Sequence, residues 1–213
     1  LLASHYTIWN YRYNIIVHLK KDLFQELAWC EQIALDNEKN YQIWNYRQLI
    51  IERILASENP NFDPHHEYPI LASMLEEDTK NHHVWLYRKW LVQRFELYRD
   101  PREIAFVDAL ILQDVRNNSA WTHRFFIRFH NAHEFEKGVR DALIEAEIEY
   151  VIGAIEKSPQ NASAWNFLRG IYRQFDLDIT QLETLSEKYA QIDTNCDPEV
   201  TQLILSSYAL ELL

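Results

Sequence analysis

Three basic residues recur at one register of this sequence: Lys39, Lys80 and Arg116 each stand five residues ahead of a tryptophan, Trp44, Trp85 and Trp121. With a helix opening between cation and tryptophan, each cation lies beside a helix N-terminus, where free N–H groups and the macrodipole favour anions. Packed helices run about 10 Å apart, so the three could line one edge and cradle phosphate or carboxylate. The other reading is three solvated surface cations. Three residues before the tryptophans stand Tyr6, Tyr41, His82, Asn118 and Ala162, and two before stand Thr7, Gln42, His83, Ser119 and Ser163. The central copies thus carry large hydrogen-bonding side chains on a first helical turn, which puts a functional face there. The alternative is that Tyr6 and Tyr41 cover the edge of the fold and His82 and His83 are ordinary exposed histidines. The sequence has no Gly-x-Ser-x-Gly, no Walker loop, no His-Glu-x-x-His and no cluster with metal-ligand spacing. His65-His66-Glu67 could touch a metal or be a plain loop. Any reactive centre is therefore expected to come largely from elsewhere.

The frame that positions these residues is a repeat. Trp9, Trp44, Trp85, Trp121 and Trp165 are separated by 35, 41, 36 and 44 residues, periods that mean stacked helical pairs. Arg12, Arg47, Arg88 and Arg124 follow their tryptophans by three residues, and Asn40, Asn81, Asn117 and Asn161 precede theirs by four. Asparagine is a good N-cap, so each tryptophan is expected at the fourth helical position, facing inward. The arginines are expected to pair with acidic residues of a neighbouring helix or with helix carbonyl ends. Asp63-Pro64, Asp100-Pro101 and Asp197-Pro198 read as cap plus first-turn proline for the returning helices. The expectation is an all-α, right-handed superhelix of antiparallel pairs, each a tryptophan helix followed by its return helix. The expected helices are 5–19, 22–36, 40–57, 64–78, 81–98, 101–115, 117–130, 136–157, 161–175, 178–192 and 198–212. Residues 1–213 are expected to form one helical-repeat domain, lacking N-terminal helices.

Composition agrees. The chain of 213 residues is 47% hydrophobic and 25% charged, with 3 glycines and 6 prolines, which suits long helices around a large core. The net charge of -11 and the lack of a basic stripe argue against nucleic acid. Residues 1–131 hold 15 Lys and Arg against 17 Asp and Glu, whereas residues 132–213 hold 6 against 15, so an anion-handling site belongs in the first part. Cys30 and Cys196 give neither a disulfide framework nor a zinc site. No apolar run approaches the roughly 20 residues that span a bilayer, and a cytoplasmic location is expected.

At the repeat motifs the sequence resembles the alpha subunits of protein prenyltransferases, specifically the one shared by protein farnesyltransferase and type I protein geranylgeranyltransferase. The repeats of that family read Lys-Asn-Tyr-x-Val-Trp-x-x-Arg, which Lys39 to Arg47 and Lys80 to Arg88 resemble. Asp114-Val115-Arg116-Asn117-Asn118-Ser119-Ala120-Trp121 and Asn161 to Gly170 look like its fourth and fifth repeats. The resemblance implies a crescent wrapped around a beta subunit that binds the catalytic zinc and most of the isoprenoid. The heterodimer would transfer farnesyl or geranylgeranyl from its diphosphate to the cysteine of a C-terminal Cys-a-a-X sequence, zinc lowering the thiol pKa and magnesium assisting the farnesyl reaction. Carried over by position, Lys39 matches the lysine that stabilises charge on the leaving diphosphate, and Tyr41 a tyrosine near the diphosphate and C1. Gln42 matches the glutamine on the peptide carboxylate, His83 a histidine near isoprenoid and peptide, and Tyr6 a tyrosine lining the substrate cavity. Asn81 is a further substrate-binding candidate already explained by capping. His82 stands where the family has tyrosine, and His5 where the first asparagine cap would be. Two alternatives stay open: the alpha subunit of Rab geranylgeranyltransferase, which shares the repeat, and a helical-repeat scaffold that binds protein and does no chemistry.

Overall fold

A computed structural model describes residues 5–37, 40–58, 60–178, 180–182 and 184–185, with the backbone alone at Tyr6. Nine α-helices lie among these residues: α1 (Tyr6–His18), α2 (Leu23–Asp36), α3 (Tyr41–Leu55), α4 (Tyr68–Glu77), α5 (His82–Phe95), α6 (Pro101–Gln113), α7 (Asn118–Phe129), α8 (Lys137–Lys157) and α9 (Ala162–Gln174). No strand occurs among them, and the fold is the all-α helical repeat that the tryptophan spacing predicts. The expected helix 198–212, with its Asp197-Pro198 start, lies outside the described residues. Of the expected helix 178–192, residues 180–182 and 184–185 are described and helical.

The start signals act as written. The side chains of Asn40, Asn81, Asn117 and Asn161 accept backbone N–H groups at the starts of α3, α5, α7 and α9. Asp22 and Asp100 do the same for α2 and α6, the latter followed by Pro101 at the first position. His5, in place of an asparagine, makes no side-chain cap. Two expected helices are broken. The span expected as 64–78 opens with a 3-10 turn, Pro64–Glu67, capped by Asp63, before α4 begins. The span expected to reach residue 98 stops at Phe95, because Glu96 takes a left-handed conformation (φ 55°) and its N–H bonds the Val92 carbonyl. A left-handed residue satisfies a carbonyl of the last turn while reversing the chain, here into a 3-10 turn, Leu97–Arg99, and the extended Asp100 that its following proline favours.

The described residues fall into two compact units, one through Ala132 and one from His133. In the first, α1, α3, α5 and α7 pack side by side in that order, and the largest interfaces join α2 to α3 and α6 to α7. The packing unit is thus a return helix with the tryptophan helix that follows it, the reverse of the expected grouping. The cause is the short turn between them. Asn81 N–H bonds the Asp78 carbonyl and Asn117 N–H the Asp114 carbonyl, and the indole N–H groups of Trp85 and Trp121 close back on carbonyls six residues earlier, at Thr79 and Val115. The second unit packs α8 on α9, with Val151, Ile155, Leu168 and Ile171 buried, and Trp165 closes on the Pro159 carbonyl in the same way. Trp9, Trp44, Trp85 and Trp121 are buried, whereas Trp165 is half-buried.

On α3, α5 and α7 the side chains two and six residues after the tryptophan are buried, Tyr46 and Ile50, Tyr87 and Leu91, His123 and Ile127, and the rings of Tyr46, Tyr87 and His123 meet the tryptophan of the preceding copy. Each such aliphatic residue contributes about 1.5–3 kcal/mol by burial. On α1, with no earlier copy among the described residues, the counterparts Tyr11 and Ile15 are 66% and 56% exposed.

Candidate functional site

The first turns of α3 and α5 are held in place from below by buried carboxylates, each shared between two copies of the repeat. Glu26 accepts from Arg12 and from the Tyr46 hydroxyl at 2.7 Å. Glu67 accepts from Arg47, with Nη2 at 2.8 Å, and from the Tyr87 hydroxyl at 2.7 Å. Glu103 accepts from Arg88 through two bonds of 3.0 Å and from His123 Nε2 at 3.0 Å. A carboxylate donates nothing, so His123 carries its proton on Nε2. In all three nodes the aromatic partner lies 20 residues after the carboxylate. Arg47 also donates to the Leu27 carbonyl at 2.8 Å, and Arg124 pairs with Asp108 of α6.

Burial alone would lower the Arg47 pKa, but hydrogen bonding and charge from Glu67 raise it above the ordinary value. The phenols of Tyr46 and Tyr87 are pushed up by burial and then by their carboxylates, and stay protonated donors. Burial would raise Glu103; the His123 hydrogen bond and the Arg88 charge hold it below the usual range. His123 is lowered by burial against the pull of Glu103. The Cys30 thiol, pushed up to about 12 by burial, is no nucleophile.

Above these nodes the rings of successive tryptophan helices meet in rungs. Trp9 meets Tyr46 at 4.9 Å between centroids, Trp44 meets Tyr87 at 4.9 Å and Trp85 meets His123 at 5.1 Å. One turn nearer the helix start, Tyr41, the first residue of α3, meets His83 of α5 at 5.6 Å and 34° between planes. Tyr41 is half exposed, so this pair presents a phenol and an imidazole to solvent on adjoining N-termini. His82 stands edge-on to His83 at 5.7 Å. Gln42 shares the first turn with Tyr41, its N–H bonded to Asn40 Oδ1 at 2.9 Å. Asn81 is buried with its oxygen taking the N–H groups of His83 and Val84, so its visible task is to fix the turn that carries His83.

Of the residues singled out by sequence, the structure therefore brings Tyr41 and His83 together, with Gln42 and Asn81 on the same two turns. Lys39 lies outside the described residues, and Tyr6 opens α1 without a described side chain. The row of cations is interrupted: Lys80 Nζ lies 3.3 Å from Asp114 in the next interhelical turn. Asp114 is held below the usual carboxylate range first by the backbone N–H of Arg116 and, after the opposing effect of burial, by Lys80. In His65-His66-Glu67, His65 bridges the capping carboxylates of Asp63 and Asp100 at 2.7 Å each, and Glu67 is one of the buried nodes. Among the described residues no group of three or more His, Cys, Asp or Glu could hold a metal ion. The node carboxylates Glu26, Glu67 and Glu103 were not singled out by motif; the signal that finds them is their constant spacing of 20 residues ahead of Tyr46, Tyr87 and His123.

Comparison with known proteins agrees with this layout. The model of the protein prenyltransferase alpha subunit repeat matches residues 23–54, 64–95, 100–130 and 144–175, each a return helix with the tryptophan helix that follows. The chain is 54% identical over its whole length to the protein farnesyltransferase/geranylgeranyltransferase type-1 subunit alpha of Candida albicans, covering 66% of it. To the subunit of that name from Dictyostelium discoideum it is 39% identical over 80% of the chain, covering 51% of the relative. The chain thus spans about half to two thirds of the length of these relatives. Among solved structures, Candida albicans protein geranylgeranyltransferase-I complexed with GGPP is similar over 97% of this chain and 74% of that one, with a TM-score of 0.81 and 48% identity. Within the first three matched repeats runs the carboxylate-to-ring bond, and the carboxylate-to-arginine bond joins the first of them to the second and the second to the third; by its four matched repeats the chain belongs to the protein prenyltransferase alpha subunit repeat family.

Proposed function

We propose that this chain acts as the alpha subunit of a heterodimeric protein prenyltransferase of the farnesyl and type I geranylgeranyl class. With its beta subunit it transfers an isoprenoid from its diphosphate to the cysteine of a C-terminal Cys-a-a-X sequence. The observation that carries the reading is the meeting of Tyr41 and His83 on adjoining first turns, with Gln42 beside them. The relative solved with GGPP supports an isoprenoid diphosphate as the ligand.

In this reading Lys39 offsets the charge that develops on the leaving diphosphate, and the Tyr41 hydroxyl donates to a diphosphate oxygen. The Gln42 amide donates to the peptide's terminal carboxylate, and His83 and Tyr6 line the isoprenoid and peptide. Asn81 serves the site by fixing the turn under His83. We assign the zinc to the beta subunit, as the family resemblance implies, and neither zinc nor the magnesium of the farnesyl reaction enters a step assigned to this chain. No helix among the described residues is long and apolar enough to cross a membrane, and we place the subunit in the cytoplasm as one continuous repeat domain.

Co-expression of the full-length subunit with a beta subunit, followed by incubation with labelled isoprenoid diphosphate and a Cys-a-a-X peptide, tests the reading. The expected result is zinc-dependent labelling of the peptide thiol, absent for the chain alone. A stable, zinc-loaded heterodimer that leaves the peptide unlabelled contradicts it.

A further inference from the structure

We infer that Tyr87, tethered through Glu67 to Arg47, is a positioning residue that sets His83 against Tyr41; this rests on the reading that those two rings meet substrate. Two contacts between α3 and α5 follow one another down the helices. Tyr41 meets His83 at 5.6 Å, and Trp44, three residues on, meets Tyr87, four residues on, at 4.9 Å. His83 and Tyr87, four apart, share one face of α5, so a slide of the lower ring carries the upper one with it.

What stops the slide is the hydroxyl of Tyr87. It donates to Glu67 Oε2 at 2.7 Å, and Glu67 is gripped by Arg47, three residues beyond Trp44 on α3. The circuit Trp44–Tyr87–Glu67–Arg47 is closed and buried, with all four residues at most 3% exposed. The rungs on either side are built alike, Trp9–Tyr46 over Glu26 and Trp85–His123 over Glu103. Only the middle circuit joins the two helices whose first turns carry Tyr41 and His83. The equivalent first-turn positions at the α5–α7 junction are His82 and Ser119, so His123 serves as the control.

The test is Tyr87→Phe in the heterodimer, which removes one oxygen and keeps the ring, with His123→Phe in parallel. A positioning role predicts turnover lowered about three- to ten-fold with the peptide KM little changed, and wild-type turnover for His123→Phe. In a His83→Ala background, Tyr87→Phe has no further effect. Independently of activity, the imidazole NMR signals of His83 move in Tyr87→Phe and stay put in His123→Phe. Wild-type turnover in Tyr87→Phe, or a loss that adds in full to that of His83→Ala, overturns the inference. A wild-type heterodimer that transfers nothing defeats the prenyltransferase reading instead; unmoved His83 signals then still overturn the positioning role.

Discussion

The buried carboxylates hold charges that the interior tolerates only in company. Leaving Arg88 without Glu103 costs about 3–5 kcal/mol, whereas the exposed pair of Arg94 and Glu52 contributes at most about 1 kcal/mol. Three nodes share this design, and one differs in kind: His123 stands where Tyr46 and Tyr87 stand in theirs. Its folded pKa is lowered by burial, so the folded protein binds a proton there less readily than the unfolded chain. The contribution to stability is fully present above the ordinary imidazole value of about 6.5 and is lost as pH falls through the lower folded value. Urea midpoints measured at pH 7.5 and 5.5 therefore fall further for wild type than for His123→Phe; equal falls reject the assignment. That the arginines pair with acids was legible in the sequence, because a buried guanidinium must be paired. Which acid was not, since Arg12 reaches 14 residues and Arg47 reaches 20, a difference set by the lengths of the helix end and of the connection that follow each arginine.

At the scale of elements, helix starts were readable and helix ends were not. Asn117 and Pro101 announce α7 and α6 by local chemistry, but Glu96 gives no sign that it will turn left-handed, a conformation that the path from α5 to α6 imposes. The grouping of helices was also hidden, because the same alternation fits either pairing until the indole bonds of Trp85 and Trp121 choose one. The meeting of Tyr41 with His83 escaped for a related reason: it joins the third position before one tryptophan to the second before the next, an offset that only packing decides. One cost is visible within α8. Gly153 lies in its interior, and a Cβ added there meets nothing within 4 Å. Gly153→Ala is expected to gain about 1 kcal/mol of stability from helix propensity, read as a higher urea midpoint; a lower one means that the site is packed more closely than its surroundings indicate.

For the molecule, the repeat gives every copy the same skeleton and leaves its first turns to vary. Trp44 and Arg47 hold the second copy as their counterparts hold the others, and its difference lies in Lys39, Tyr41 and Gln42. Arg116 occupies the position of Lys39 two copies later, exposed and beside the smaller Asn118 and Ser119, and it provides the control. The decisive measurement is the single-turnover rate of isoprenoid transfer by the full-length heterodimer carrying Lys39→Ala or Arg116→Ala. Loss of one preorganised charge at the leaving group predicts a rate lowered about 10- to 1,000-fold for Lys39→Ala, with peptide affinity little changed and Arg116→Ala at the wild-type rate. An unchanged rate for Lys39→Ala, or an equal loss for both, would contradict a functional edge at the first turn of the second copy.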